Sequence, residues 1–377
     1  MYIPQPPQNL HDFIGQANIR RMLRVASAAS LQRNRPVGHI LLTGPSGLGK
    51  STLARIVASL QNGKFIECLA GKLSEGRDWK ELFHEVEGAG YKKMDAEKAR
   101  EIILDQGVEA LVADTVPISK SVVFLDEIHR LTQKQQEMLF TVMTKNILYY
   151  TEKDASTKAK VTRWLPVPLF TLVGATTEEG TLSEPFLNRF SLRFKLEPYT
   201  VDELKVIVQN AVKQTACQAT DDAIMEIACR SRGIARVALN FLMTCSNYAL
   251  LRDSKKGSTI IDKSITDIAF SDGHLSIDDK GLAIDDLRYL FALHVAQHPI
   301  GLNTLISILH QDQPNIVNVI EPHLIRQGLI MITPSGRVIK RGGIEHIRSH
   351  PFLHRLSVAK DALAMAICKD EVFEEAR

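Results

Sequence analysis

Eight residues constrain this chain more than any others: Gly44-Pro45-Ser46-Gly47-Leu48-Gly49-Lys50-Ser51, which follow the apolar run His39-Ile40-Leu41-Leu42-Thr43. They fit the pattern G-x-x-x-x-G-K-[ST], and residues 52–58 then read as a helix. Strand, glycine-rich loop and helix in that order predict an α/β unit with a phosphate site. Glycines let the backbone close around an anion, so that successive N–H groups and the helix N-terminus face the phosphates. In that arrangement the Lys50 ammonium reaches the β- and γ-phosphates and the Ser51 hydroxyl holds Mg²⁺, with Thr52 beside them. An ordinary glycine turn that happens to carry a lysine is the competing reading, and the ordered context weighs against it. A nucleotide, ATP with Mg²⁺, is the expected ligand.

Length and composition narrow the class around this site. At 377 residues the chain exceeds one typical domain, so two or three are expected. Apolar residues make up 45% and charged ones 24%, as in globular proteins, and the net charge of +3 does not by itself announce a nucleic-acid binder. Cys68, Cys217, Cys229, Cys245 and Cys368 lie far apart with no C-x-x-C pair. That argues against a structural zinc site and a disulfide framework, and it suits a reducing, cytoplasmic setting. The first ten residues are Pro- and Gln-rich rather than basic and then apolar, and no apolar run approaches a membrane span, so no membrane association is expected.

A second informative stretch is Ser121-Val122-Val123-Phe124-Leu125-Asp126-Glu127. Four apolar residues in a row read as a buried parallel strand, and carboxylates at its C-terminal end sit where open α/β sheets carry out ligand chemistry. Asp126 can hold the Mg²⁺ shell, and Glu127 can orient the attacking water or take its proton. Alone, such a pair could be a solvated turn; behind a phosphate loop, the functional reading prevails. Phe170-Thr171-Leu172-Val173-Gly174-Ala175 reads as another buried strand ending in Thr176, whose hydroxyl could contact the γ-phosphate or serve as a helix cap. Arg189 follows a short loop later: an ordinary surface residue, or an arginine finger in a ring of identical subunits. Upstream, Phe13 and Ile14 either cover an adenine base or pack the helical pattern at 19–31. Between the phosphate loop and Asp126, residues 61–120 read as core plus a helical insertion, with helical spacing at 79–87 and 96–113. Strand-like runs at 147–150 and 161–165 predict a projecting β-hairpin.

Past residue 199 the pattern becomes helical, with segments at 201–213, 221–231 and 235–251 forming a small domain in which Arg236 could fold back onto bound nucleotide. Residues 255–280 read as a polar linker with one short helix. Three further helices are expected at 285–297, 301–309 and 315–327. A hairpin follows, with Leu329-Ile330-Met331-Ile332 and Arg337-Val338-Ile339 around Thr333-Pro334-Ser335-Gly336, the plan of a winged helix. From Pro322 to Lys360 there are seven Lys/Arg against one acid, Glu345. That excess assigns Arg326, Arg337, Lys340 and Arg341 to phosphate contacts with duplex DNA; a protein-docking winged helix is the other reading.

Together these motifs resemble the RuvB family of Holliday-junction branch-migration AAA+ ATPases. The resemblance rests on Phe13-Ile14-Gly15-Gln16, the phosphate loop, and Leu125-Asp126-Glu127-Ile128-His129-Arg130-Leu131. It extends through residues 170–177, Arg230-Ser231-Arg232-Gly233 and Pro299-Ile300-Gly301-Leu302 to Thr333-Pro334. It implies a parallel-sheet ATPase core (1–197, with an insertion about 61–120), a helical lid (198–270), a winged-helix DNA-binding domain (275–346) and a tail helix (347–377). It also implies a hexameric ring acting on duplex or four-way junction DNA. On this resemblance Asp126 and Glu127 are the Walker B pair, Thr176 the first sensor, Arg189 the finger in trans and Arg236 the second sensor. The hairpin at 147–165 falls where the family docks its junction-binding partner, RuvA. The chain departs from the family pattern at Leu187 and Ala235, where the family has arginine and proline, and at Asn188 and Ser335, where it has aspartate and arginine. A protein remodeller or loader, or a nucleotide-gated DNA-binding switch, are the alternatives.

Overall fold

A computed structural model describes residues 4–73, 76–86, 117–153, 160–215, 217–252, 259–271 and 275–349. The chain divides into two compact units at Tyr199/Thr200.

The first unit is built on five parallel strands in the order β2-β3-β6-β1-β7: β1 (Ile40–Thr43), β2 (Phe65–Leu69), β3 (Ile118–Asp126), β6 (Leu169–Thr176) and β7 (Leu192–Lys195). The runs Ile40-Leu41-Leu42 and Val122-Val123-Phe124-Leu125 are buried, as strands covered on both faces require. Among the described residues, the helices of this unit are α1 (Ala17–Arg33), α2 (Lys50–Gln61), α3 (Gly76–His84), α4 (Gln133–Lys145) and the short α5 (Glu184–Leu187). In α3, Trp79 and Phe83 are buried with Phe170 of β6, the Phe83 and Phe170 rings meeting edge-on at 5.5 Å. The expected insertion over 61–120 is therefore corrected at its start. Phe65–Leu69 is an integral strand and residues 76–84 pack into the core, while the helical pattern at 96–113 lies outside the described residues. The hairpin pairs β4 (Ile147–Lys153) with β5 (Lys160–Pro166) in register from Ile147↔Pro166 to Lys153↔Lys160. Its base is anchored by buried Ile147, Leu148 and Leu165, and it starts directly after α4 ends on left-handed Asn146.

The second unit opens with α6 (Val201–Val212), capped by the reciprocal Thr200–Glu203 box, then α7 (Asp221–Arg230) and α8 (Ala235–Arg252). Within the segment expected as a linker, residues 260–271 belong to this unit's core. β9 (Ile260–Ile261) pairs in parallel with β8 (Gln218–Ala219), and α9 (Lys263–Ser271) buries Phe270 against Phe241, ring centroids 5.2 Å apart. The winged helix follows with α10 (Ile284–Ala296) and α11 (Leu302–Leu309). The helix expected over 315–327 is broken into α12 (Gln313–Asn315), a π-helical turn (Ile316–Ile320) and α13 (Glu321–Arg326). Pro322 explains the break, because it lacks an N–H and its ring clashes with the carbonyl four residues back, so the ladder is rerouted through the wider turn. Strands β10 (Ile330–Thr333) and β11 (Gly336–Ile339) form the wing, and Ile300 joins as a third partner through two backbone bonds to Arg337. Gly336 has φ +137°, and a Cβ there would lie 2.5 Å from the Ile300 carbonyl oxygen. The domain does not end at 346. Helix α14 (Arg341–Ser349) buries Ile347 in the winged-helix core, and the tail helix expected at 358–368 lies outside the described residues.

Candidate functional site: a glycine loop, two carboxylates and a buried hydroxyl

The strand order puts the chemistry at one edge. β1 lies between β6 and β7, with Thr43 level with Thr176, and Leu125 on β3 lies level with Gly174 on β6. The phosphate loop, Asp126 and Thr176 thus leave the same, C-terminal edge of a parallel sheet, the edge at which such sheets bind ligands. The Gly44 N–H donates to the Thr176 carbonyl at 3.2 Å, which ties the loop's first residue to the end of β6.

Gly44, Gly47 and Gly49 have φ values of +133°, +82° and +99°. Gly49 caps α2, and a Cβ on it would sit 3.0 Å from the Phe13 ring, so only glycine fits both the dihedral and the space. Pro45 and Ser46 are exposed; Leu48 is buried and its carbonyl accepts a hydrogen bond from the Tyr199 hydroxyl at 2.8 Å. Lys50, 7% exposed, donates from Nζ to the carbonyls of Gly44 (2.6 Å) and Pro45 (2.9 Å). Its ammonium is folded into the curve of its own loop. Ser51 and Thr52 are half-buried in the first turn of α2. Phe13 is buried under Gly49 and Ile14 is half-buried. Gln16 clamps this segment to the strand exit, donating to the Glu197 carbonyl at 2.7 Å and accepting from its N–H at 3.3 Å.

Asp126 ends β3, and its carboxylate accepts the Glu127 N–H at 3.0 Å. Glu127 is left-handed (φ +54°), a conformation that costs a non-glycine residue about 1–2 kcal/mol and throws its side chain off the strand path. His129, in the following 3₁₀ turn, lies with Nε2 3.3 Å from Glu127 Oε2 and Nδ1 3.1 Å from Thr176 Oγ1. Thr176 is buried and its hydroxyl also accepts the Glu178 N–H at 2.9 Å. Arg130 is a looser neighbour, 3.9 Å from the same Glu127 oxygen.

Arg189 is exposed, with its guanidinium stacked 4.5 Å from the centroid of Phe140 on α4, an arrangement that holds a cation at the surface in a fixed direction. Arg236, exposed in the first turn of α8, belongs to the second unit. In the winged helix the four basic residues assigned to DNA divide. Lys340 and Arg341 are exposed, Arg341 pairing with Glu345 at 2.7 Å, and Arg326 is exposed with Nη2 3.3 Å from the Arg232 carbonyl. Arg337 does not fit its assignment. Its guanidinium donates at 2.8 Å to Glu321, a carboxylate 2% exposed that also accepts the Tyr289 hydroxyl at 2.9 Å. The charge counted as surface charge is spent inside the domain. The Glu321 hydrogen bond raises the Arg337 pKa above the usual guanidinium value, and burial, followed by the Glu321 charge, pushes the Tyr289 phenol well up.

Sequence comparison extends the geometry. Residues 40–198 match the ATPase family associated with various cellular activities (AAA), 199–276 the RuvB AAA lid domain, and 279–348 the RuvB C-terminal winged helix domain. The RuvB Holliday junction branch migration complex subunit of Ehrlichia chaffeensis is 32% identical over 347 residues, covering 92% of this chain and 94% of that protein. The chain belongs to the RuvB family of AAA ATPases. The corresponding subunit of Prochlorococcus marinus (strain MIT 9313) is 34% identical, covering 90% of this chain and 87% of its own length. The solved Thermotoga maritima RuvB Holliday junction branch migration motor superposes with a TM-score of 0.70 at 29% identity, over 91% of this chain and 98% of that one. Family membership carries nucleotide binding with it. Sequence reading passed over His129, Tyr199, Phe140 and Glu321. His129 stood inside the motif that carried the resemblance, but its bridging position depends on the left-handed turn at Glu127, which nothing in the letters announces.

Proposed function

We propose that this chain is a motor that couples ATP hydrolysis to the movement of duplex DNA at a four-way junction, working in the cytoplasm as a hexameric ring. The observation that carries this reading is the convergence of Lys50, Asp126, Glu127 and Thr176 at one sheet edge, in a chain that also carries a RuvB-type winged helix. The donor set fits an ATP–Mg²⁺ pair: a ring of loop N–H groups with an inturned ammonium for the phosphates, and the Ser51 hydroxyl and Asp126 carboxylate for the ion. Bound there, Mg²⁺ would neutralise phosphate charge as the bond to the γ-phosphoryl group breaks. Lys50 moves from its own loop carbonyls onto the phosphates, Thr176 holds the γ-phosphate, and Glu127 orients and deprotonates the attacking water.

Arg189, presented on Phe140, acts on the neighbouring subunit's γ-phosphate, and Arg236 reads the nucleotide from the lid. Arg326, Lys340 and Arg341 take phosphates of the duplex; Arg337 supports the wing from within. The hairpin at 147–165 serves as the dock for a RuvA-like adaptor. ATP turnover measured with and without duplex and four-way junction DNA, over a series of salt concentrations, tests the reading. Junction DNA should stimulate turnover and its strands should move, while Glu127→Gln should lower kcat by about 10²-fold or more. Turnover indifferent to DNA would favour a protein remodeller, and ATP-dependent DNA binding without turnover a switch; either result overturns the motor.

A further inference from the structure

Glu127 follows the end of β3 and Thr176 ends β6, and the His129 side chain touches both. Its Nε2 is 3.3 Å from Glu127 Oε2 and its Nδ1 3.1 Å from Thr176 Oγ1, with His129 itself 13% exposed and the Glu127 side chain 32% exposed. For a neutral imidazole the proton assignment follows from the partners. A carboxylate only accepts, so Nε2 must donate. The Thr176 oxygen already accepts from the Glu178 N–H at 2.9 Å. An imidazole with its proton on Nε2 then leaves Nδ1 to accept the threonine's own hydroxyl proton. The result is an ordered chain, Glu178 N–H to Thr176, Thr176 O–H to His129, His129 N–H to Glu127, in which every donor is used.

Thr176 has one proton to donate. In this arrangement it goes to His129; to hold a γ-phosphate oxygen it must leave Nδ1. From that competition we infer that His129 is a positioning residue that couples γ-phosphate capture by Thr176 to the orientation of Glu127. The inference rests on the reading of Glu127 as the water-activating group. ADP, which lacks the γ-phosphate, leaves the chain intact. ATP withdraws one link and changes what Nδ1 can accept, and so alters the imidazole that holds the Glu127 carboxylate. The left-handed turn at Glu127 is the structural reason why the i+2 side chain can reach back to the acid.

The test uses the full-length chain with His129→Leu, His129→Gln and Thr176→Val, the His129→Leu/Thr176→Val double variant, and Glu127→Gln as reference. Three quantities are read: kcat with junction DNA, binding of ADP and of a non-hydrolysable ATP analogue, and the melting temperature. His129→Leu should lower kcat about tenfold or more. It should leave ADP affinity and melting temperature unchanged and bind the ATP analogue at least as tightly as the wild type, since Thr176 no longer has a competing acceptor. His129→Gln, which keeps a donor and an acceptor, should recover part of kcat. The double variant should be no worse than the more damaged single one, the signature of groups acting as a unit. Wild-type kcat in His129→Leu alongside a crippled Glu127→Gln overturns the coupling and leaves the catalytic reading standing. Full turnover in Glu127→Gln overturns that underlying reading instead. Equal weakening of ADP and ATP analogue, a lower melting temperature and no rescue by glutamine would make His129 merely structural, and would also overturn the proposal.

Discussion

Replacing Arg337 by methionine separates the sequence-based expectation for this residue from what the structure shows. Its guanidinium, 15% exposed, faces a carboxylate 2% exposed, and the remaining hydrogen bond to that carboxylate is from the Tyr289 hydroxyl at 2.9 Å. Methionine keeps the packing of the stem but removes the countercharge and strands Glu321. Breaking a buried pair on one side costs about 3–5 kcal/mol. For a domain of the winged helix's size, each kcal/mol moves the midpoint roughly 4–8 °C, so a drop of more than about 10 °C is expected. Calorimetry of the whole chain reads the shift, and hydrogen exchange over 284–296 and 321–326 assigns it to this domain. Adding Glu321→Gln removes the stranded charge while keeping an acceptor for Tyr289, and should restore more than half of the loss. A residue that only touched DNA phosphate would behave differently. Its removal would leave the midpoint nearly unmoved and flatten the salt dependence of DNA binding by about 0.9 in logarithmic slope. That second pattern would refute the internal role.

Two further outcomes follow from the geometry. Gly49→Ala imposes a side chain at φ +99° with 3.0 Å to the Phe13 ring, so nucleotide binding followed by fluorescence or calorimetry should fall sharply, whereas Gly180→Ala, with open space around it, should bind as the wild type does. Asp262 caps α9 by accepting the Ile265 N–H at 3.0 Å, and the Ser264 hydroxyl, with smaller help from that N–H and Arg252, holds its pKa down at about 2 against an ordinary 3.8. A depressed acid stabilises the fold above its unfolded value and loses that stabilisation as pH falls through the folded one. Asp262→Ala should therefore cost about 1 kcal/mol or less in a urea titration at pH 6, given that the side chain is 37% exposed, and the gap to the wild type should narrow once pH drops below 3.8.

What could be read in advance was local. The phosphate loop, the run ending in Asp126-Glu127 and the strand ending in Thr176 carry their structure in adjacent letters, and the parallel order that gathers them follows from buried strands alternating with helices. What could not be read was long-range or hidden in small residues. Arg337 counted as surface charge because its partner lies 16 positions away on another element. The first turn of α14 contains Gly342 and Gly343, residues that weaken a helical signal. The structure uses Gly343 for close approach, since a Cβ there would lie 2.5 Å from the Leu329 carbonyl oxygen. The pairing of β8 with β9 is two residues long, too short to leave a periodic signal. The bridge through His129 needed both a backbone reversal and the neighbouring strand.

The stacking of Arg189 on Phe140 has a mechanical side. Phe140 sits near the middle of α4, whose 13 residues end at Lys145, and the hairpin leaves from the next turn of chain. A helix bends but scarcely stretches, because each residue's rise of about 1.5 Å is fixed by its hydrogen bonds. A pull on the hairpin base therefore reaches Phe140 as displacement rather than being absorbed on the way, over a path of about 10 Å. Arg189 and the hairpin share one strut, so a load taken up at the hairpin is also a force on the platform against which Arg189 stacks.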